Sequence, residues 1–154
     1  MDKEKVLILK SELKAGFKRV EELYQKIEEK RPIFRKNEEG IESMAYKLHN
    51  LYGAYEEIFE IVASFFENQI EEVRYHTNLL QRMKIEIEGI RPAFISEETH
   101  RLLDELRRFR HLFRHAYDVK LDGEQIARIL NIALKLKTKF IADLENFLKT
   151  LEEK

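Results

Sequence analysis

The chain contains no cysteine and no tryptophan, and only 2 prolines and 5 glycines in 154 residues. Each shortage excludes something. Without cysteine there can be no disulfide and no thiolate metal site, which suits a reducing cytoplasm. So few prolines and glycines leave too few turn-formers for a sandwich or barrel of short strands. Long apolar runs are missing too, since nothing approaches the roughly 20 residues of a membrane span. The opening M-D-K-E-K-V-L-I-L is no secretory signal, because Lys10, Glu12 and Lys14 break the apolar stretch at once. Charge of one sign is also lacking. A formal net charge of -1 provides no global field for nucleic acid, so any such binding needs a local patch.

What the chain does have is amphipathic helix. With 44% hydrophobic and 37% charged residues, it reads as a single globular domain over 1–154 that can bury one continuous core. Five segments carry apolar residues at three- and four-residue steps. The first runs from about Lys3 to Arg31, with Val6, Leu9, Leu13, Val20, Leu23 and Ile27 on its stripe, and Pro32 ends it. Gly16 interrupts that stripe, either for a close helix approach or as a tolerated gap. The second, from about Ile41 to Asn68, has its face widened by Phe59, Ile61 and Phe66, which predicts the central helix. The third is expected from Glu71 to Glu88, stopping at Gly89. A fourth opens at the N-cap Ser96 and carries Leu102, Leu106, Phe109 and Phe113. The fifth starts at Asp122-Gly-Glu-Gln125, an aspartate form of the capping box, and continues through Phe147. The expected fold is an all-α, up-and-down bundle of about five helices.

The chemistry concentrates in residues 110–117, R-H-L-F-R-H-A-Y. Arginine can hold a phosphate and stabilise charge on phosphorus, and histidine can move a proton near neutral pH. On an ideal helix at about 100° per residue, Phe109 and Phe113 face the core, with Arg110, Arg114 and Tyr117 beside them. His111 and His115 lie further round, so Arg110 and His115 stand about 140° apart on one straight helix. They converge if the arginine reaches round, the helix end distorts, or a second protomer completes the site.

Each feature has a plainer reading. Arg107, Arg108, Arg110 and Arg114 form either a solvated face paired with acidic neighbours or a phosphate-binding patch whose RNA affinity falls steeply with salt. His111 and His115 could share a metal ion as an i, i+4 pair. Against this, Leu112 stands where H-E-x-x-H has glutamate, and Arg114 sits between them, so no metal site is assigned. His49, His76 and His100 are isolated, although His49 and Asn50 could meet the fourth helix across a groove. Tyr46, Tyr52 and Tyr55 recur at helical spacing, as core or interface residues do.

The octet resembles the arginine–four residues–histidine–x–tyrosine motif of HEPN-domain ribonuclease toxins, in particular the HepT and HepT-like proteins. Arg110, His115 and Tyr117 are the matching positions. L-H-N-L-Y at 48–52 and I-R-P-A-F-I-S-E-E-T at 90–99 are also similar to HepT-like sequences, and the likeness extends from about Ala45 onward. It implies a HEPN-like two-fold homodimer whose motif helices meet across the interface. It further implies a cytoplasmic toxin of a toxin–antitoxin pair, cutting RNA without a metal or cofactor. By the same analogy Arg110 binds the scissile phosphate and His115 handles the proton of the attacking 2′-OH or the leaving oxygen. His111 stands where relatives often carry asparagine or another small polar residue, and it either supports the site by hydrogen bonding or joins the proton transfers, with Arg114 and Tyr117 as further supporting positions. Arg107, Arg108 and Arg114 would contact RNA. The implied partner is a minimal nucleotidyltransferase (MNT-type) antitoxin that adds AMP to Tyr117. Two other readings stand beside this one: a catalytically idle HEPN dimer serving a nucleotidyltransferase or nucleotide, and an interaction bundle with no nucleic-acid role.

Overall fold

A computed structural model describes residues 2–67, 75–115 and 120–153. It contains α1 (Lys3–Lys30), α2 (Glu38–Phe66), α3 (Tyr75–Met83), α4 (Glu97–His115) and α5 (Gly123–Glu152), with a 3-10 turn at Phe34–Lys36. The all-α expectation holds, and the four long helices run up, down, up and down. Gly16 and Tyr24 of α1 meet Ile58 and Tyr55 of α2, Tyr52 and His49 of α2 meet Arg110 and Phe113 of α4, and Glu98 and Glu105 of α4 meet Lys139 and Arg128 of α5. These pairings fix neighbouring helices as antiparallel. Helix α2 packs against all the others, in keeping with its wide apolar face.

Local chemistry sets the helix ends. Asp2 and Asn37 cap α1 and α2 by accepting the N–H of Glu4 (3.0 Å) and Gly40 (2.7 Å). Ser96 Oγ accepts the Thr99 N–H at 3.2 Å, so α4 begins where expected, and Asp143 of α5 anchors the cap through Ser96 N at 2.9 Å. Asp122 caps α5, but it accepts from Glu124 N–H at 3.0 Å rather than from Gln125 as a full capping box would.

The core is built on aromatic rings. Phe94 and Phe140 pack edge-on at 5.8 Å, Tyr55 meets Phe140 at 4.9 Å, and Phe94 meets Phe147 at 4.9 Å. Two tyrosine hydroxyls inside this cluster satisfy one another. Tyr24 Oη lies 2.7 Å from Tyr55 Oη and donates to the Ala133 carbonyl at 2.7 Å. Gly16 serves a close helix approach, since a Cβ there would sit 2.9 Å from Ile58 Cγ1. Even alanine at this position would require the Ile58 side chain or the helix spacing to shift.

The third segment corrects an expectation. Helix α3 stops at Met83 rather than at Glu88, and the part expected at 71–74 lies outside the described residues. Beyond Met83 the chain turns back on itself. Ile87 N–H donates to the Arg91 carbonyl at 2.9 Å, and Gly89 takes a positive φ of 77° in the turn between them. The cause is Arg91, whose guanidinium is fully buried. It donates to the carbonyls of Arg82 (2.9 Å), Ile85 (3.0 Å) and Pro92 (3.1 Å) and pairs with Glu67 at 2.6 Å. The Met83 carbonyl accepts from both Phe94 N (2.8 Å) and Ile95 N (3.0 Å). Carbonyls that a longer helix would have used internally are thus claimed by the returning chain.

Candidate functional site

On α4 the apolar stripe Leu102, Leu103, Leu106 and Phe109 is buried, and Phe113 is half-buried against the core. The remaining faces of the last two turns carry the motif. Arg107 and Arg108 converge on one carboxylate, contacting Asp104 Oδ1 (2.8 Å) and Oδ2 (3.1 Å) respectively. For these two cations the paired-face alternative describes the geometry. Arg110 and Arg114 form no ion pair among the described residues.

Arg110 turns inward. It is half-buried, with its guanidinium carbon 5.9 Å from the centre of the Tyr52 ring and its Nε enclosed without a hydrogen-bond partner among the described residues. It lines a groove of about 620 Å³ between α1 and α2, shared with Leu23 and Lys26 of α1 and with His49, Asn50 and Gly53 of α2. Arg19, Glu22, Glu56, Glu57 and Glu60 continue the walls. Tyr52 is fully buried, its hydroxyl has no partner among the described residues, and burial followed by the nearby Glu56 charge pushes its pKa well up. It therefore acts as an apolar ring beneath a cation rather than as an acid.

His49 is the histidine that meets Arg110. Its ring stacks on exposed Tyr46 at 6.1 Å and packs against Phe113 at 5.4 Å. Its Nδ1 lies 3.1 Å from Asn50 Oδ1. Burial holds the imidazole below its ordinary pKa; the Asn50 hydrogen bond opposes this, while the Arg110 and Arg114 charges reinforce it. His111 and His115 stand elsewhere. Both are exposed on the opposite flank of α4, with ring centres 4.5 Å apart, and neither lines the Arg110 groove. Arg110 and His115 therefore diverge within one chain, as the helical angle requires. Among the described residues no group of three or more His, Asp or Glu could hold a metal ion. Tyr117 lies outside the described residues.

Of the three tyrosines, Tyr52 and Tyr55 are core, as their helical spacing suggests, while Tyr46 is 58% exposed. One feature of the groove was not foreseen from the sequence. Gly53 sits in the interior of α2, where glycine costs roughly 0.5–1 kcal/mol relative to alanine, yet a Cβ there would meet no atom within 4 Å. Packing does not require this glycine. The signal available was a helix-weakening residue inside the otherwise strong stripe L-Y-G-A-Y.

The histidines also predict a pH response. His49 and His100 are both held below the usual imidazole value, His100 by burial first and then by Lys84. The unfolded chain therefore binds more protons than the folded one as pH falls through about 6.5, and stability is lost on acidification. Melting temperature should fall between pH 7.5 and 5.5, and the double variant His49→Gln/His100→Gln should flatten the slope. A wild-type curve that is level over this range would contradict the assignment.

A family model described as HepT-like protein matches residues 43–151. That span contains nearly all of α2, the Arg91 turn, α4 with its motif, and α5. No curated protein and no solved structure matches the chain. Among the described residues no helix is long and apolar enough to cross a membrane. With the match running over well more than half of its length, the chain belongs to the HepT-like proteins.

Proposed function

We propose that this HepT-like chain is the toxin of a toxin–antitoxin pair, a metal-independent endoribonuclease acting in the cytoplasm. The observation that carries the reading is Arg110, a motif arginine held over a buried ring, without an ion pair among the described residues, at an open groove. A guanidinium so placed can bind the scissile phosphate and stabilise the charge that builds on it during attack. His115 then moves a proton to or from the ribose and leaving oxygens, with His111 beside it. Because Arg110 and His115 point apart, a two-fold dimer with facing α4 helices would complete the site from both protomers. A nucleotidyltransferase antitoxin of the MNT type would silence the enzyme by placing AMP on Tyr117, adding a bulky anion to the basic end of α4.

A second reading, an idle HEPN module that binds a nucleotidyltransferase or nucleotide, draws on the four glutamates along the Arg110 groove. One experiment separates the two. Purified protein incubated with total RNA in EDTA should yield fragments ending in 2′,3′-cyclic phosphate, because the 2′-OH is the nucleophile. Intact RNA at every metal condition would leave the idle module. Cleavage lost on chelation and restored by a divalent ion would move His111 and His115 from proton transfer to metal ligation.

A further inference from the structure

The charges of the Arg110 groove are not mixed evenly along it. Arg19 pairs with Glu57 at 3.4 Å. Seven residues on along α1 and seven back along α2, the antiparallel register brings Lys26 level with Asn50. One end of the groove thus holds Lys26, Arg110, His49 and Asn50, with Glu22 one turn from Lys26 and Glu56 beside Tyr52, while Glu57 and Glu60 lie further along α2 with Arg19. At the first end the floor is Gly53, left bare where a Cβ would touch nothing. Such a floor lets a ligand approach the helix backbone closely.

The hydrogen bonding is equally directed. Asn50 Oδ1 can only accept, so the 3.1 Å contact makes His49 Nδ1 the donor. In the neutral ring this leaves His49 Nε2 as an acceptor, and it leaves the Asn50 amide NH2 with its donors available. Two cations, one fixed imidazole acceptor and one amide donor therefore share a small concave space. This set matches a phosphate with a hydroxyl beside it better than it matches a bare anion.

We infer that the His49–Asn50 end of this groove is a ribonucleotide subsite, in which Arg110 and Lys26 hold a 3′-phosphate while His49 and Asn50 contact the adjacent ribose 2′-hydroxyl. It deepens the ribonuclease reading and rests on it for the choice of ligand. His49, on α2 and outside the motif, becomes the residue that distinguishes ribose from deoxyribose at the phosphate that Arg110 binds.

The test is binding, read apart from cleavage. Uridine 3′-monophosphate is titrated into the full-length protein while the histidine C2–H resonances are followed by NMR. Deoxyuridine 3′-monophosphate and inorganic phosphate serve as comparisons. The His49 resonance should move with uridine 3′-monophosphate and stay still in Arg110→Ala. Affinity should drop about tenfold for the deoxy probe and again for His49→Gln, the loss expected when one hydrogen bond to a charged or well-placed partner is removed. Gly53→Ala should bind more weakly although its melting temperature rises, which separates a blocked floor from a damaged fold. If the nucleotide moves only His111 and His115, or moves no histidine, the subsite is overturned even where RNA is cut. Equal affinity for both nucleotides overturns the ribose contact. Binding at His49 by a protein that leaves RNA intact sustains the subsite and removes the nuclease.

Discussion

Arg110→Ala should lower RNA cleavage by about 10²–10³-fold, the loss typical of removing one group that stabilises transition-state charge. His115→Ala should act on the same scale, since positioned proton transfer contributes about 10²–10⁴-fold. The fold should survive both. His115 is exposed, and Arg110 gives up a cation–ring contact with Tyr52 worth about 0.5–1 kcal/mol, together with some packing. Arg108→Ala is the natural control, because that side chain is mostly solvated and tied to Asp104. Its cleavage rate should stay near wild type while the salt dependence of RNA binding flattens slightly. Matched single-turnover rates and melting curves for the three variants check this. Arg110→Ala cutting RNA as fast as wild type would remove the arginine from the chemistry and the ribonuclease with it.

The largest stability effect is expected far from that groove. Arg91→Ala should destabilise the protein by about 3–5 kcal/mol, because it strands the Glu67 carboxylate and leaves carbonyls of residues 82, 85 and 92 without their donor. The side chains of Arg91 and Glu67 are 0% and 8% exposed, so water cannot easily replace the lost partner. Glu67→Gln also leaves a buried charge uncompensated, that of Arg91, but it should cost less, since an amide oxygen can still accept from Arg91 and the three carbonyls keep their donor. Urea denaturation of both variants measures the difference. An Arg91→Ala midpoint close to wild type would mean that the turn at 84–92 is held by its backbone bridge alone. RNA cleavage by the surviving folded fraction should be unchanged, as the turn contributes nothing to the Arg110 groove.

Much of this architecture was legible in the residue order, because helix formation is a local affair. Stripes at three- and four-residue steps located α1, α2, α4 and α5. Asp122 and Ser96 marked two helix starts, and the octet at 110–117 was visible as the place where arginine and histidine concentrate. The divergence of Arg110 from His115 also followed from helical angles alone. The end of α3 did not. Ile85 and Ile87 continue an apolar pattern, and only the tertiary fold brings Arg91 back to take the carbonyls that a longer helix would have used. The joining of His49 to Arg110 was likewise undecided. Its position on the polar flank of α2 allowed a meeting across a groove, but whether the meeting occurs depends on the register in which α2 docks on α4. Side-chain period and caps are written into neighbouring residues. Which two faces meet, and at what height, is set by packing summed over the whole core, and no short stretch of sequence contains it.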